Sequence, residues 1–238
     1  MKKNYRLKLC SAALFTLSLG QVQAAEMSIS SEDSMESSVT LDMVSSYIFR
    51  GVTLNKGAAV QPGVSVSANG LTAGAWGSIA LDAEESETEQ ELDLYVSYEA
   101  EIGNLGLTLG AVEYMYPDTD IDSDREVSIG LGLDTVLAPT LTFNYGIGGA
   151  VEETLYTELG LEHAIIEVND VSTSLSGAIG HLSPKEGETG LSHAQISLAA
   201  SFRGISTSIN YFAELDEDVQ SFQDGEEFFL SVGTSRTF

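Results

Sequence analysis

The side chains in this sequence with most chemistry to offer are carboxylates. Asp42, Glu91, Asp93, Glu126, Asp134 and Glu158 stand on the polar positions of alternating segments, opposed by Arg50 near the outer mouth. A ring of acids within a low-dielectric wall concentrates cations and repels anions. The same acids at a rim in open water are screened beyond about 8 Å at physiological salt. For Glu91 and Glu126, near the ends of their segments, both readings stand. Further acids crowd the links: Asp82, Glu84, Glu85, Glu87 and Glu89 in one, Glu214, Asp216, Glu217, Asp218, Asp224 and Glu226 in another. Asp118-x-Asp120-x-Asp122-x-Asp124 has the carboxylate spacing of a calcium loop. Ser123 stands where that loop needs glycine, however, and Ile129 where it needs glutamate, so a solvated acidic loop is the reading and no metal site is expected.

Catalysis has little to work with. A nucleophile needs a base and an orienting group within reach, and the only histidines are His163, His181 and His193. There is no Gly-x-Ser-x-Gly element, no His/Cys ligand cluster and no phosphate-cradling glycine loop. The single cysteine, Cys10, lies in a segment expected to be removed, which excludes disulfides, Cys-zinc sites and thiol nucleophiles from the mature chain. No catalytic residue and no cofactor is expected.

The elements that must position these groups read as strands. Of 238 residues, 36 are acidic and 10 basic, and four of the basic ones (Lys2, Lys3, Arg6, Lys8) lie in the first eight positions. Residues 1–24 have the basic start, short apolar stretch and small-residue end (Val22-Gln23-Ala24) of an export signal. Its removal leaves a chain with a net charge near −30, which argues against nucleic acid as a partner. Residues 25–37 form a flexible acidic lead-in, and 38–238 the folded domain.

That domain alternates apolar with small or polar residues almost throughout. Val39, Leu41, Met43, Tyr47 and Phe49 share one face, with Thr40, Asp42, Ser46 and Arg50 on the other. Leu92/Leu94/Val96/Tyr98, Val127/Ile129/Leu131/Leu133 and Ala194/Ile196/Leu198/Ala200/Phe202 repeat the pattern, and about 12 such segments follow one another. The phase slips once, near His163, as a bulge would make it. Tight turns at Asn69-Gly70, Gly103-Asn104, Ala138-Pro139, Asn169-Asp170 and Arg203-Gly204 alternate with longer polar links, 51–57 and 82–90 among them. A secreted β-sandwich would also alternate, but its strands are typically about 5–6 residues. Segments of about ten residues, with short and long links in rhythm and a terminal Phe238, fit an all-β, transmembrane, antiparallel up-and-down barrel of about 12 strands. Tyr47, Phe49 and Tyr211 then fall at the outer end of such a barrel, with Phe202 and Phe238 at the inner end.

The segment Ser45-Ser46-Tyr47-Ile48-Phe49-Arg50-Gly51-Val52, with Ala59-Val60-Gln61-Pro62-Gly63 and Ala73-Gly74-Ala75-Trp76-Gly77-Ser78, resembles the opening of the TorF family of porins. Glu91-Leu92-Asp93-Leu94-Tyr95, Glu113-Tyr114-Met115-Tyr116-Pro117, Leu155-Tyr156-Thr157-Glu158-Leu159 and the closing Ser235-Arg236-Thr237-Phe238 extend the likeness over most of 38–238. Tyr-x-Phe-Arg-Gly and Trp-Gly-Ser are its most specific pieces. The resemblance implies an outer-membrane barrel of a Gram-negative bacterium with a channel role. The strong acidity and the short link at Glu152-Glu153 depart from the family pattern.

The interior positions are conspicuously small, with Gly63, Ser65, Gly74, Ser128, Gly130, Ser174, Ser176, Ser197, Ser206 and Ser208 among them. Small side chains leave volume for water in a 12-stranded barrel; they also ease strand curvature. The expected function is a narrow, passive, cation-preferring pore for small polar solutes or cations. It would sit in outer-membrane lipid, with Phe238 offered to the barrel-assembly machinery. The alternative is a non-conducting surface barrel whose acidic loops bind a partner, a ligand or divalent cations.

Overall fold

The computed structural model describes residues 35–82, 90–117, 119–219 and 226–238. The export signal, nearly all of the lead-in and the acidic run Glu84–Glu89 lie outside the described residues. Among the described residues fourteen strands follow one another: β1 (Glu36–Val44), β2 (Tyr47–Phe49), β3 (Val52–Asn55), β4 (Ala59–Ala68), β5 (Leu71–Ala80), β6 (Gln90–Ile102) and β7 (Leu105–Met115). Then come β8 (Asp124–Leu133), β9 (Thr140–Gly148), β10 (Leu155–Val168), β11 (Val171–Ser183), β12 (Gly190–Phe202), β13 (Ile205–Glu214) and β14 (Glu226–Thr237). Twelve of them, all but β2 and β3, form one closed antiparallel barrel in which β1 pairs with both β14 and β4. Closure leaves no edge strand in the barrel, so each of its twelve strands is hydrogen-bonded to a neighbour on both sides.

The alternation sends apolar side chains outward. Leu94, Ile129, Leu159, Leu198 and Leu230, on five different strands, are all 45–55% exposed. A continuous outward band of this kind is stable only against hydrocarbon, which is why the fold is a membrane barrel and not a water-soluble one. The chain reversals follow local chemistry. Asn69-Gly70 and Arg203-Gly204 take positive φ at both residues (54° and 79°, 51° and 77°), the conformation that matches a two-residue hairpin to strand twist. The β8–β9 connection is longer, and the Asp134 N–H there donates to the Asn104 carbonyl of the adjacent turn at 2.8 Å.

Besides a shift between Arg125 and Glu126 on the β8–β9 ladder, two bulges shift the register on either side of β11. One lies between Ala164 and Ile166 of β10, where the sequence phase slips. The other, opposite Gly180 and His181, turns both Ser192 and His193 of β12 toward the interior.

One sequence expectation fails. Carried across Val44-Ser45, the alternation would make Tyr47 and Phe49 outward residues at the end of the first strand. The strand instead stops at Val44, and residues 47–55 fold back as the hairpin β2–β3 inside the barrel. Tyr47 and Ile48 are buried, each under 5% exposed. The break is made at two serines. Ser45 exchanges hydrogen bonds with the Leu230 backbone (N–H to carbonyl and Oγ from amide, both 2.9 Å), and Ser46 Oγ donates to the Asn55 carbonyl at 2.9 Å. The interior supplies partners that lipid lacks, and these decide the hairpin's side of the wall. The other aromatics expected at the two ends do face outward: Tyr211 packs on Phe228 at 4.6 Å between ring centroids, and Phe202 and Phe238 are exposed.

Candidate functional site

The hairpin carries Arg50 and Gly51 at its tip, both with positive φ (48° and 85°). The bend brings the backbone so close to the wall that a Cβ on Gly51 would lie 2.8 Å from His193 Cγ and from Phe212 Cε2, so only glycine fits. The tip thereby reaches across the lumen to β8, β10, β12 and β13.

Arg50 is held on several sides. Its guanidinium donates two parallel hydrogen bonds to Glu126, at 2.7 and 2.8 Å, in a part-buried bidentate pair. The cation lies over the Phe49 ring at 4.7 Å and the Tyr156 ring at 4.5 Å. Tyr114 and Tyr156 organise the acids around it: the Tyr114 hydroxyl donates to Glu126 at 3.0 Å and the Tyr156 hydroxyl to Glu158 at 2.7 Å. His193 stacks on Tyr156 with its ring nearly parallel, 6.1 Å away. Ile48 packs with Phe212 and Phe229, while Tyr47 packs with Val44, Ala59 and Trp76. Thr53 Oγ1 donates to Glu227 at 2.9 Å, fixing the returning strand to β14.

The sequence-selected carboxylates fall into separate groups. Arg50, Glu126 and Glu158 form one cluster at the hairpin tip. Glu91 and Asp93, on the inward face of β6, form a second beside Tyr47. Asp42 is buried on β1 against Gly233. Asp134 stands apart, half-buried beyond the end of β8 among the short turns. Glu91 and Glu126 are 6% and 3% exposed, within the barrel and not on an open rim. Arg50 sits at the hairpin tip, not on the wall of the first strand. Of the acidic loop, Asp118 lies outside the described residues. Asp124 is taken up by structure, accepting from the Ala150 and Val151 amides and, at 3.1 Å, from the Tyr116 hydroxyl. Among the described residues no group of three or more His, Cys, Asp or Glu side chains is arranged to hold a metal ion.

The aromatic residues of the site escape a reading by charge. Trp76, Tyr114, Tyr156, Phe212 and Phe229 all occupy interior positions on β5, β7, β10, β13 and β14. Their signal was available: adjacent aromatics at Tyr211-Phe212 and Phe228-Phe229 must put one ring on each face. Bulky rings on an otherwise small-residue face need something inside to pack against.

Comparisons with known proteins agree with this architecture. A solved NanC porin matches with a TM-score of 0.52 and 10% identity, over 85% of this chain and 98% of that one. A chain from a structure on in-meso crystallization of membrane proteins matches with a TM-score of 0.51 and 7% identity, over 85% and 84%. An outer-membrane channel from Pseudomonas putida F1 gives 0.49 and 10%, over 92% and 100%. Likeness at such identities bears on the fold alone. No curated protein matches the chain. A family model described as "Bacterial protein of unknown function (Gcw_chp)" matches residues 29–232, and the chain belongs to that family.

Proposed function

We propose that this protein is an outer-membrane barrel forming a narrow, passive, cation-preferring pore for small solutes, constricted at its long-loop end by the β2–β3 hairpin. The long-loop end is the cell-surface end and the short-turn end, with Phe238, the periplasmic one, as even-stranded outer-membrane barrels are built. The carrying observation is the imbalance of charge inside: Asp42, Glu91, Asp93, Glu126 and Glu158 are buried on interior positions against Arg50, which Glu126 alone already engages. An acidic, low-dielectric lumen lowers the energy of a passing cation and raises that of an anion. The resemblance to TorF-family porins and the porin-like fold favour the same role.

A second reading has its own support. Mid-barrel hydroxyls that a wide aqueous channel would bathe are buried, among them Ser97, Thr108, Thr142, Ser197 and Ser208. With the hairpin in place, such a barrel would be closed and its acidic loops would be its working surface. Planar-bilayer recording of the refolded mature chain across a potassium chloride gradient separates the two. Small discrete steps with a reversal potential favouring potassium are expected. A folded, silent barrel, or one favouring chloride, contradicts the pore proposed here.

A further inference from the structure

The lumen holds its own Arg50 in a combination of aromatic rings and a carboxylate. A second combination of the same kind stands on the adjoining strands, sharing Tyr114 with the first, and has no cation of its own. Asp93 is completely buried, and no hydroxyl, amide or cationic group donates to either of its oxygens; its polar neighbour is the carboxyl group of Glu91. In register, Trp76 of β5 lies directly beside it on one side and Tyr114 of β7 on the other. Tyr47 of the hairpin packs on Trp76, ring centroids 5.6 Å apart, with its hydroxyl close enough to Glu91 and Asp93 to feel both charges. Glu91, two residues along the same strand face, adds a second buried carboxyl group. Among the described residues neither acid has an ion pair. The Trp76 indole N–H is buried and likewise unpartnered.

A buried carboxylate with no cation beside it either takes up a proton or stays charged at a cost of several kcal/mol, and a cation that joins it relieves that cost. Three aromatic rings around it select the kind of cation. A strongly hydrated divalent ion wants a shell of oxygens, whereas an organic ammonium gains from ring faces and donates its N–H groups to carboxylates. From this geometry we infer that Asp93, Glu91, Trp76, Tyr114 and Tyr47 form a binding site for a small organic ammonium group, with Asp93 as its counter-ion. Arg50 over Phe49 and Tyr156, paired with Glu126, is the internal precedent for the chemistry. The site goes beyond the pore reading, since occupancy does not require an open lumen.

Trp76 is the only tryptophan in the chain and therefore reports on the site directly. The refolded full-length mature barrel is titrated with methylammonium chloride at constant ionic strength and pH, exciting where tyrosine does not absorb. A saturable change in Trp76 emission is expected, weakened about tenfold or more in Asp93→Asn and less in Glu91→Gln. Folding of each variant is checked by heat-dependent gel mobility; if Asp93→Asn does not fold, Glu91→Gln with Tyr47→Phe carries the comparison. No saturable response in the native barrel overturns the proposal. So does a response to calcium chloride alone, or one that the folded variants leave unchanged.

Discussion

Arg50 is the side chain on which the interior is organised. Breaking a buried ion pair from one side leaves an uncompensated charge, which typically costs about 3–5 kcal/mol. Arg50→Ala strands Glu126 at 3% exposure, so a loss of about that size is expected in chemical unfolding of the detergent-folded barrel. Arg50→Lys keeps the charge but loses the two-pronged pairing and the ring stacking. It should recover only part of that loss; full recovery would mean that charge alone matters there. The charged members of this cluster were legible in the sequence, because Arg50, Glu126 and Glu158 sit on polar phases of alternating segments. Its neutral members were not. His193 enters the lumen through a bulge, and one extra residue in a ladder moves a side chain to the other face without any compositional trace.

The hairpin β2–β3 is an addition to the barrel and not one of its staves. β1 and β4 pair directly along Glu36–Val44 and Ala59–Ser67, so the wall is complete without the residues between them. Replacing residues 46–57 by a short glycine-serine link should therefore leave a barrel that still shows heat-dependent gel mobility; loss of that shift would make the hairpin part of the folding core. The twelve staves were readable because lipid on one side and a polar lumen on the other impose a strict period of two. The hairpin defeated the same rule. Tyr47 and Phe49 continue the outward phase of Leu41 and Met43 by number, and only the slips at Val44, Ser45 and Ile48 record that the chain has turned inward. The Arg50-Gly51 pair was a further sign, since a residue followed by glycine suits a two-residue reversal with positive φ.

Taken whole, the molecule opposes an apolar exterior to an acidic interior. Leu, Ile and Val side chains cover the outside, while the buried acids of β1, β6, β8 and β10 face inward with a hairpin laid across them. Each feature has a simple cause: hydrocarbon outside, and inside a lumen wide enough for polar groups yet narrow enough for one hairpin to span. The export signal and the acidic loop 83–89 contribute charge that the sequence records, but they lie outside the described residues. The proposed function makes the hairpin the constriction of an acidic pore. Its most direct test is single-channel conductance of the native barrel and the 46–57 replacement, side by side in the same salt gradient. The replacement should conduct in larger steps while still favouring potassium over chloride. Equal conductance in the two proteins, or silence in both, would contradict it.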